Sequence, residues 1–292
     1  MTTSAWQSVD EVQTALAKVG YLASESIATT VFLAAQLGRP VLVEGPAGVG
    51  KTALAKAVSE ASAARLIRLQ CYEGVDEARA LYEWNHAKQL LRITAEQHGR
   101  WDDLRTDIFG EEFLLPRPLL AAVRSTDPVV LLIDELDKAD EEMEGLLLEV
   151  LSDFQVTIPE LGTIQAAQRP FVVVTSNATR ELSEALRRRC LFLHIDYPAP
   201  ALEQQIVHLH APGLDEALAR SIVRVIGALR GLDLRKAPSV SETVDWAHTL
   251  LSLGADRLDP RLVERSLGVI LKHQPDIESA HARLDLDRAL AD

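Results

Sequence analysis

Gly45-Pro46-Ala47-Gly48-Val49-Gly50-Lys51-Thr52 leaves a chain few ways to fold. The octapeptide satisfies the Walker A pattern. It lies between the apolar run Pro40-Val41-Leu42-Val43-Glu44, which reads as a buried strand, and a helical pattern beginning near Lys51. Glycines at these positions let backbone N–H groups curl around phosphate oxygens with no side chain in the way, and a helix N-terminus adds favourable dipole charge. Gly45, Pro46, Ala47, Gly48, Val49, Gly50, Lys51, Thr52 and Ala53 are therefore the expected nucleotide cradle. Lys51 is expected to reach the β- and γ-phosphates, and the Thr52 hydroxyl to ligate Mg2+.

A second apolar run, Val129-Val130-Leu131-Leu132-Ile133, delivers Asp134 and Glu135 at the strand end where α/β sheets place their ligands. Neighbouring side chains on a strand point opposite ways, so the two acids are expected to have different jobs. Asp134 fits the holding of Mg2+ through its waters, and Glu135 fits a general base that polarises an attacking water. The bland alternative is a pair that merely opens a solvated loop. The second acid favours water as the nucleophile over the hydroxyl of another substrate.

A third run, Phe171 to Thr175, ends in Ser176-Asn177. The Asn177 amide is placed to hydrogen-bond the same water or the γ-phosphate, although Ser-Asn is also common turn chemistry. Arg187-Arg188-Arg189 closes a helix just before another strand, Leu191 to Ile195. Cations are favourable at a helix C-terminus in their own right. The functional alternative is an arginine finger, which offsets charge on the γ-phosphate and can come from another subunit.

With Arg65 to Gln70, five strands are expected, separated by helical patterns, which argues for a parallel sheet covered on both faces. Ser8 with Glu11 resembles a capping box ahead of a first helix stopped by Gly20, and Ile27 to Leu37 forms a second helix ending at Gly38. After Tyr197-Pro198-Ala199-Pro200 strand signals stop and helical patterns cover Leu214 to Leu229, Val240 to Leu251 and Arg261 to Leu271. The division is thus an α/β nucleotide-binding domain over 1–198 and an all-α domain over 199–292. Two insertions interrupt the first domain. Residues 71–116 hold six of fourteen aromatics, Tyr72, Tyr82, Trp84, Trp101, Phe109 and Phe113, which suit either a partner-facing surface or a local core. Residues 154–168 read as a hairpin turning at Pro159-Glu160-Leu161-Gly162.

A net charge of −13 opposes non-specific attraction to nucleic-acid phosphates, so DNA or RNA partners are not expected. Cys71 and Cys190 are far apart in apolar surroundings, which fits buried thiols rather than a disulfide framework or zinc site. His208 and His210, two apart on a helix, are badly placed to share a metal, and the only metal expected is the Mg2+ of the nucleotide. Met1 to Trp6 lacks a signal-peptide pattern, and no apolar run approaches the roughly 18 residues of a membrane span, so a soluble, cytoplasmic protein is expected.

Walker A, Asp134-Glu135, Asn177 and the arginine cluster, in this order and followed by a helical segment, resemble the AAA+ ATPases of the P-loop class over nearly the whole chain. Leu131 to Ala139, Phe154 to Pro170 and Glu184-Ala185-Leu186 are similar to the MoxR group. Leu69-Gln70-Cys71-Tyr72-Glu73-Gly74 and Leu81-Tyr82-Glu83-Trp84-Asn85 are similar to its carbon monoxide dehydrogenase maturation (CoxD-like) branch. The resemblance implies a helical lid after the α/β core, a hexameric ring with ATP and Mg2+ at subunit interfaces, and a partner bearing a von Willebrand factor A domain. It also implies Arg189 as the finger, with Arg188 as second choice. One departure stands out: where many relatives carry a sensor 2 arginine, this chain reads Pro238-Ser239-Val240-Ser241-Glu242-Thr243. The functional expectation is ATP hydrolysis that remodels or matures a protein client, with cofactor insertion into a molybdenum hydroxylase as one form. The rivals are a nucleic-acid motor or loader and a slow, nucleotide-gated scaffold.

Overall fold

A computed structural model describes residues 6–95 and 108–290. They form two compact units, one holding the chain up to Glu44 with Lys51–His194, the other Gly45–Gly50 with the residues from Ile195 onward. Among the described residues the strands are β1 (Val41–Glu44), β2 (Arg65–Gln70), β3 (Tyr82–Trp84), β4 (Leu114–Pro116), β5 (Val129–Asp134), β6 (Gln155–Ile158), β7 (Gly162–Gln165), β8 (Phe171–Ser176) and β9 (Leu191–His194).

The first unit is built on the five strands expected from the sequence, in the spatial order β2-β5-β8-β1-β9, every pairing parallel. Both faces of β5 are covered, which is why its sequence is continuously apolar rather than alternating. Leu131 and Ile133 join Leu42, Leu119, Leu120, Val172 and Val174 in one core cluster. Val130 and Leu132, one residue out of step, point to the opposite face. The helix Lys51–Ala61 packs there against β5.

The helix Val9–Lys18 packs on Glu25–Leu37 and on Lys51–Ala61. Its cap differs slightly from a reciprocal box. The Glu11 N–H donates to Ser8 Oγ at 3.1 Å, but the Glu11 carboxylate accepts from the Gln7 N–H at 2.7 Å rather than from Ser8. The hairpin expected over 154–168 forms from β6 and β7, and Val156 and Ile158 anchor it in the main core.

In the 71–116 segment β3 and β4 pair antiparallel. The Tyr82 and Trp84 rings meet edge to face at 6.2 Å, the Trp84 and Phe109 rings at 5.3 Å, and Phe113 is buried. Tyr82, Trp84 and Phe109 thus pack edge to face, and Tyr82 and Trp84 pack against the main core. Tyr72 is exposed, and Trp101 lies outside the described residues.

In the second unit the helices Pro200–His210, Glu216–Arg230, Val240–Ser252, Pro260–Ile270 and Gln274–Arg283 enclose Trp246, Ile222, Ile226, Leu250 and Val263. The fully buried Trp246 keeps its one polar atom satisfied by donating from Nε1 to Ser266 Oγ at 2.8 Å. A charged node ties three elements together: Arg230 donates to both Glu203 oxygens at 2.7 and 2.8 Å and to the Pro238 carbonyl at 2.8 Å. Thr243 adds a bond to Glu203 at 2.9 Å, and the Arg230 guanidinium stands 4.3 Å from the centre of the Tyr197 ring. Among the described residues no helix is long and apolar enough to cross a membrane.

Candidate nucleotide-hydrolysing site

Gly45–Gly50 forms the loop after β1, and Lys51, Thr52 and Ala53 open the helix Lys51–Ala61. Gly45 and Gly48 adopt φ of +150° and +75°, in the region that favours glycine. Within the second unit, a Cβ on Gly45 would collide with the Ile195 carbonyl, and one on Gly48 with the Ser239 side chain. Ser239 caps the helix Val240–Ser252 through a true capping box with Glu242. Ser241 N–H donates to the Gly48 carbonyl at 3.3 Å. The stretch without a sensor 2 arginine thus meets the loop through serines. Lys236, four residues upstream of Val240, is bonded to Glu242 at 3.0 Å.

In the first unit, Lys51, Thr52, Asp134, Glu135 and Asn177 converge at the C-terminal end of the sheet. The Thr52 hydroxyl donates to Asp134 Oδ1 at 2.9 Å, and the Thr175 hydroxyl to the same oxygen at 2.6 Å. Asp134 Oδ2 accepts from Arg68 Nε at 3.0 Å and Nη2 at 2.5 Å. Lys51 Nζ donates to Asn177 Oδ1 at 2.9 Å, so the Asn177 amide offers its NH2 as the remaining donor. Burial lowers the Lys51 pKa, partly offset by Asp137, Asp134 and Glu135. Its cation is therefore held among acids, where an anionic ligand gains from it.

Glu135 departs from the strand geometry expected for it. It sits in the left-handed region, φ +58° and ψ +48°, and opens the short turn Leu136–Lys138. This turn brings its carboxylate back beside β2, where Oε2 accepts from Gln70 Nε2 at 2.9 Å and from Lys138 Nζ at 2.6 Å. Its N–H donates to Thr175 Oγ1 at 2.9 Å, so one threonine braces both acids. A non-glycine residue in this region is uncommon and is held there by its surroundings.

Asp137, 5% exposed, accepts from the N–H groups of Asn177 (3.1 Å) and Thr179 (3.2 Å) and from the Thr179 hydroxyl (2.6 Å). Burial pushes its pKa up, but these bonds to the ionised form outweigh that and hold it below the usual carboxylate value. Asp137 thereby sets the backbone that carries Asn177. A second buried acid, Glu144, accepts from Arg180 at 2.6 Å and from the Ser183 N–H at 2.8 Å, fixing the next stretch of the same loop.

The three arginines separate clearly. Arg187 pairs with Glu44 at 2.6 Å. The Arg189 guanidinium donates to Ser152 Oγ and to the Ala185 carbonyl. Arg188, its side chain 81% exposed, has Glu184 at 3.5 Å.

The protein set suits Mg2+ with a nucleotide. A hydroxyl and a carboxylate oxygen converge, as required by an ion that keeps several waters and takes further oxygens from phosphates. Sequence reasoning missed Arg68, Gln70, Asp137 and Thr175 as parts of the site. The signal of Arg68, Gln70 and Thr175 lay only in the pairing of β2 and β8 with β5, and that of Asp137 in the contact of its turn with the loop after β8.

Residues 41–197 match the family described as the ATPase family associated with various cellular activities (AAA), over more than half of the chain. The chain belongs to the AAA family. This AAA ATPase is 26% identical to Protein NorQ of Paracoccus denitrificans over 66% of its own length and 65% of that protein, so it spans just under two thirds of NorQ. It is 26% identical to the denitrification regulatory protein NirQ of Stutzerimonas stutzeri, covering 71% and 70% of the two chains. With Protein CbbQ of Hydrogenophilus thermoluteolus the identity is 26% over 67% and 66%. It also aligns with the RuvB Holliday junction branch migration motor of Thermotoga maritima at a TM-score of 0.47 and 21% identity, covering 88% of this chain and 69% of that one.

Proposed function

We propose that this AAA ATPase binds ATP with Mg2+ and couples its hydrolysis, in a homo-oligomeric ring, to remodelling or maturation of a protein client. The observation that carries the chemistry is the meeting of Lys51, Thr52, Asp134, Glu135 and Asn177 at one end of the sheet. Bound Mg2+–ATP supplies the γ-phosphoryl group and the metal charge that steadies its oxygens. The loop 45–50 wraps phosphate oxygens with its N–H groups, and Lys51 offsets their charge. Thr52 and Asp134 hold the metal. Glu135 takes the proton of the attacking water on its carboxylate, and the Asn177 NH2 orients that water or the terminal phosphate. Turnover requires Glu135 to exchange its bonds with Gln70 and Lys138 for a bond to water.

The finger lies in the Arg188-Arg189 pair. Register with the MoxR group favours Arg189; the 81% exposure of the Arg188 side chain leaves Arg188 able to reach a neighbouring subunit. The hexameric ring, the von Willebrand factor A domain partner and cofactor insertion into a molybdenum hydroxylase rest on resemblance to that group. The net charge of −13 argues against the nucleic-acid motor.

Glu135→Gln tests the reading. A fluorescent ATP analogue should still bind, while steady-state phosphate release falls about 100-fold or more. Unchanged turnover in that variant would remove Glu135 from its role, and folded wild-type protein without affinity for adenine nucleotides would remove the function itself.

A further inference from the structure

We propose that Arg68 is a positioning residue that occupies the metal-holding carboxylate in advance, so that a divalent cation is accepted only together with nucleotide phosphates. The inference rests on the reading of Asp134 as the Mg2+ residue. The Asp134 side chain is 2% exposed, and among the described residues it accepts from two hydroxyls on Oδ1 and from one guanidinium on Oδ2. Arg68 enters from the open side of the sheet, with its own side chain 47% exposed, because β2 is an edge strand. Register places it there. Arg68 lies opposite Leu132 and Gln70 opposite Asp134, so Arg68, Gln70 and Asp134 share one face and the guanidinium spans one pleat to reach the acid.

A buried carboxylate already matched by a guanidinium has little negative potential left for a free dication, and the two cations repel across a few ångströms of poorly screened space. A metal arriving with a triphosphate brings its own compensating negative charge. Lys51 then has anionic partners as well, and the half-exposed Arg68 side chain has room to turn toward solvent. The guanidinium thus favours the metal–nucleotide complex over metal alone.

An ordinary structural ion pair between neighbouring strands predicts the opposite sign. On that view Asp134 loses its orientation when Arg68 is removed and binds metal less well. Mn2+, followed by electron paramagnetic resonance on the full chain without nucleotide, separates the two. Arg68→Met should bind Mn2+ about tenfold more tightly than wild type, the scale of losing one charge-assisted bond. Arg68→Gln, which removes the charge but keeps an amide donor for Oδ2, should show the same rise and guards against a variant that fails to fold. Unchanged or weaker Mn2+ binding in the folded variants overturns the proposal. The parent reading fails differently: Asp134→Asn would then leave Mn2+-dependent binding of the fluorescent ATP analogue unaltered.

Discussion

Replacing Asp137 by asparagine removes one negative charge and one acceptor from a carboxylate that takes three hydrogen bonds and orients Asn177. Oδ1 serves the Asn177 N–H, while Oδ2 serves both the N–H and the hydroxyl of Thr179. An amide keeps one of these oxygens and turns an NH2 toward the donors that met the other. At least one charge-assisted bond is lost, and such bonds contribute about 1.5–3 kcal/mol. Thr179 is exposed, so water relieves part of the loss, and we expect about 2 kcal/mol at pH 7. For a unit of this size that is a drop of roughly 4–8 °C in Tm, read by circular dichroism. The pH dependence is signed. The folded Asp137 pKa lies below its unfolded value of about 3.9, so its stabilisation is complete above that value and disappears as pH falls through the folded pKa. The gap between wild type and Asp137→Asn should therefore narrow below about pH 4. A Tm at pH 7 equal to wild type, or a gap that persists into acid, refutes the account of Asp137.

Two further outcomes follow from buried groups. Glu203→Gln breaks the bidentate pair with Arg230, which is 13% exposed against 2% for Glu203. Removing one partner of a buried pair typically costs about 3–5 kcal/mol, so thermal unfolding of the helical unit should shift down by roughly 10 °C or more, and a shift of a degree or two contradicts the assignment. Burial pushes the Cys71 thiol to about 12, with Asp134, Asp137 and Glu135 adding to the rise, and pushes Cys190 to about 11, partly offset by Arg39. Both thiols should be silent to Ellman's reagent at pH 8 in the folded protein and react on denaturation; rapid release from the native protein counts against the burial of either.

Much of the candidate site was legible in the sequence because it is local. The loop 45–52 carries its glycines, lysine and threonine within one strand-turn-helix, and Val129 to Glu135 shows a doubly covered strand and its terminal acids in consecutive residues. The hairpin over β6 and β7 and the helices Glu216–Arg230 and Val240–Ser252 were equally plain, since periodicity and turn residues act over a few positions. The family followed from the order of these local signals.

Tertiary structure decided what depends on which strands are neighbours. Arg68 is 66 residues from Asp134, and Thr175 is 41. Only the order β2-β5-β8 and its register bring their side chains to the same carboxylate. Asp137 stands in a buried turn whose partners come from the loop after β8, and no pattern within Leu136 to Lys138 announces them. Strand alternation sets Glu135 opposite Asp134, yet its left-handed backbone returns it to Gln70 on the Asp134 side. Which of the aromatics of 71–116 pack together, Tyr82, Trp84 and Phe109 among them, appears only when the ring contacts are seen. Spacing along a chain determines periodicity and the residues within one turn; contacts between distant segments depend on sheet order and register, which are set by the packing of the whole unit.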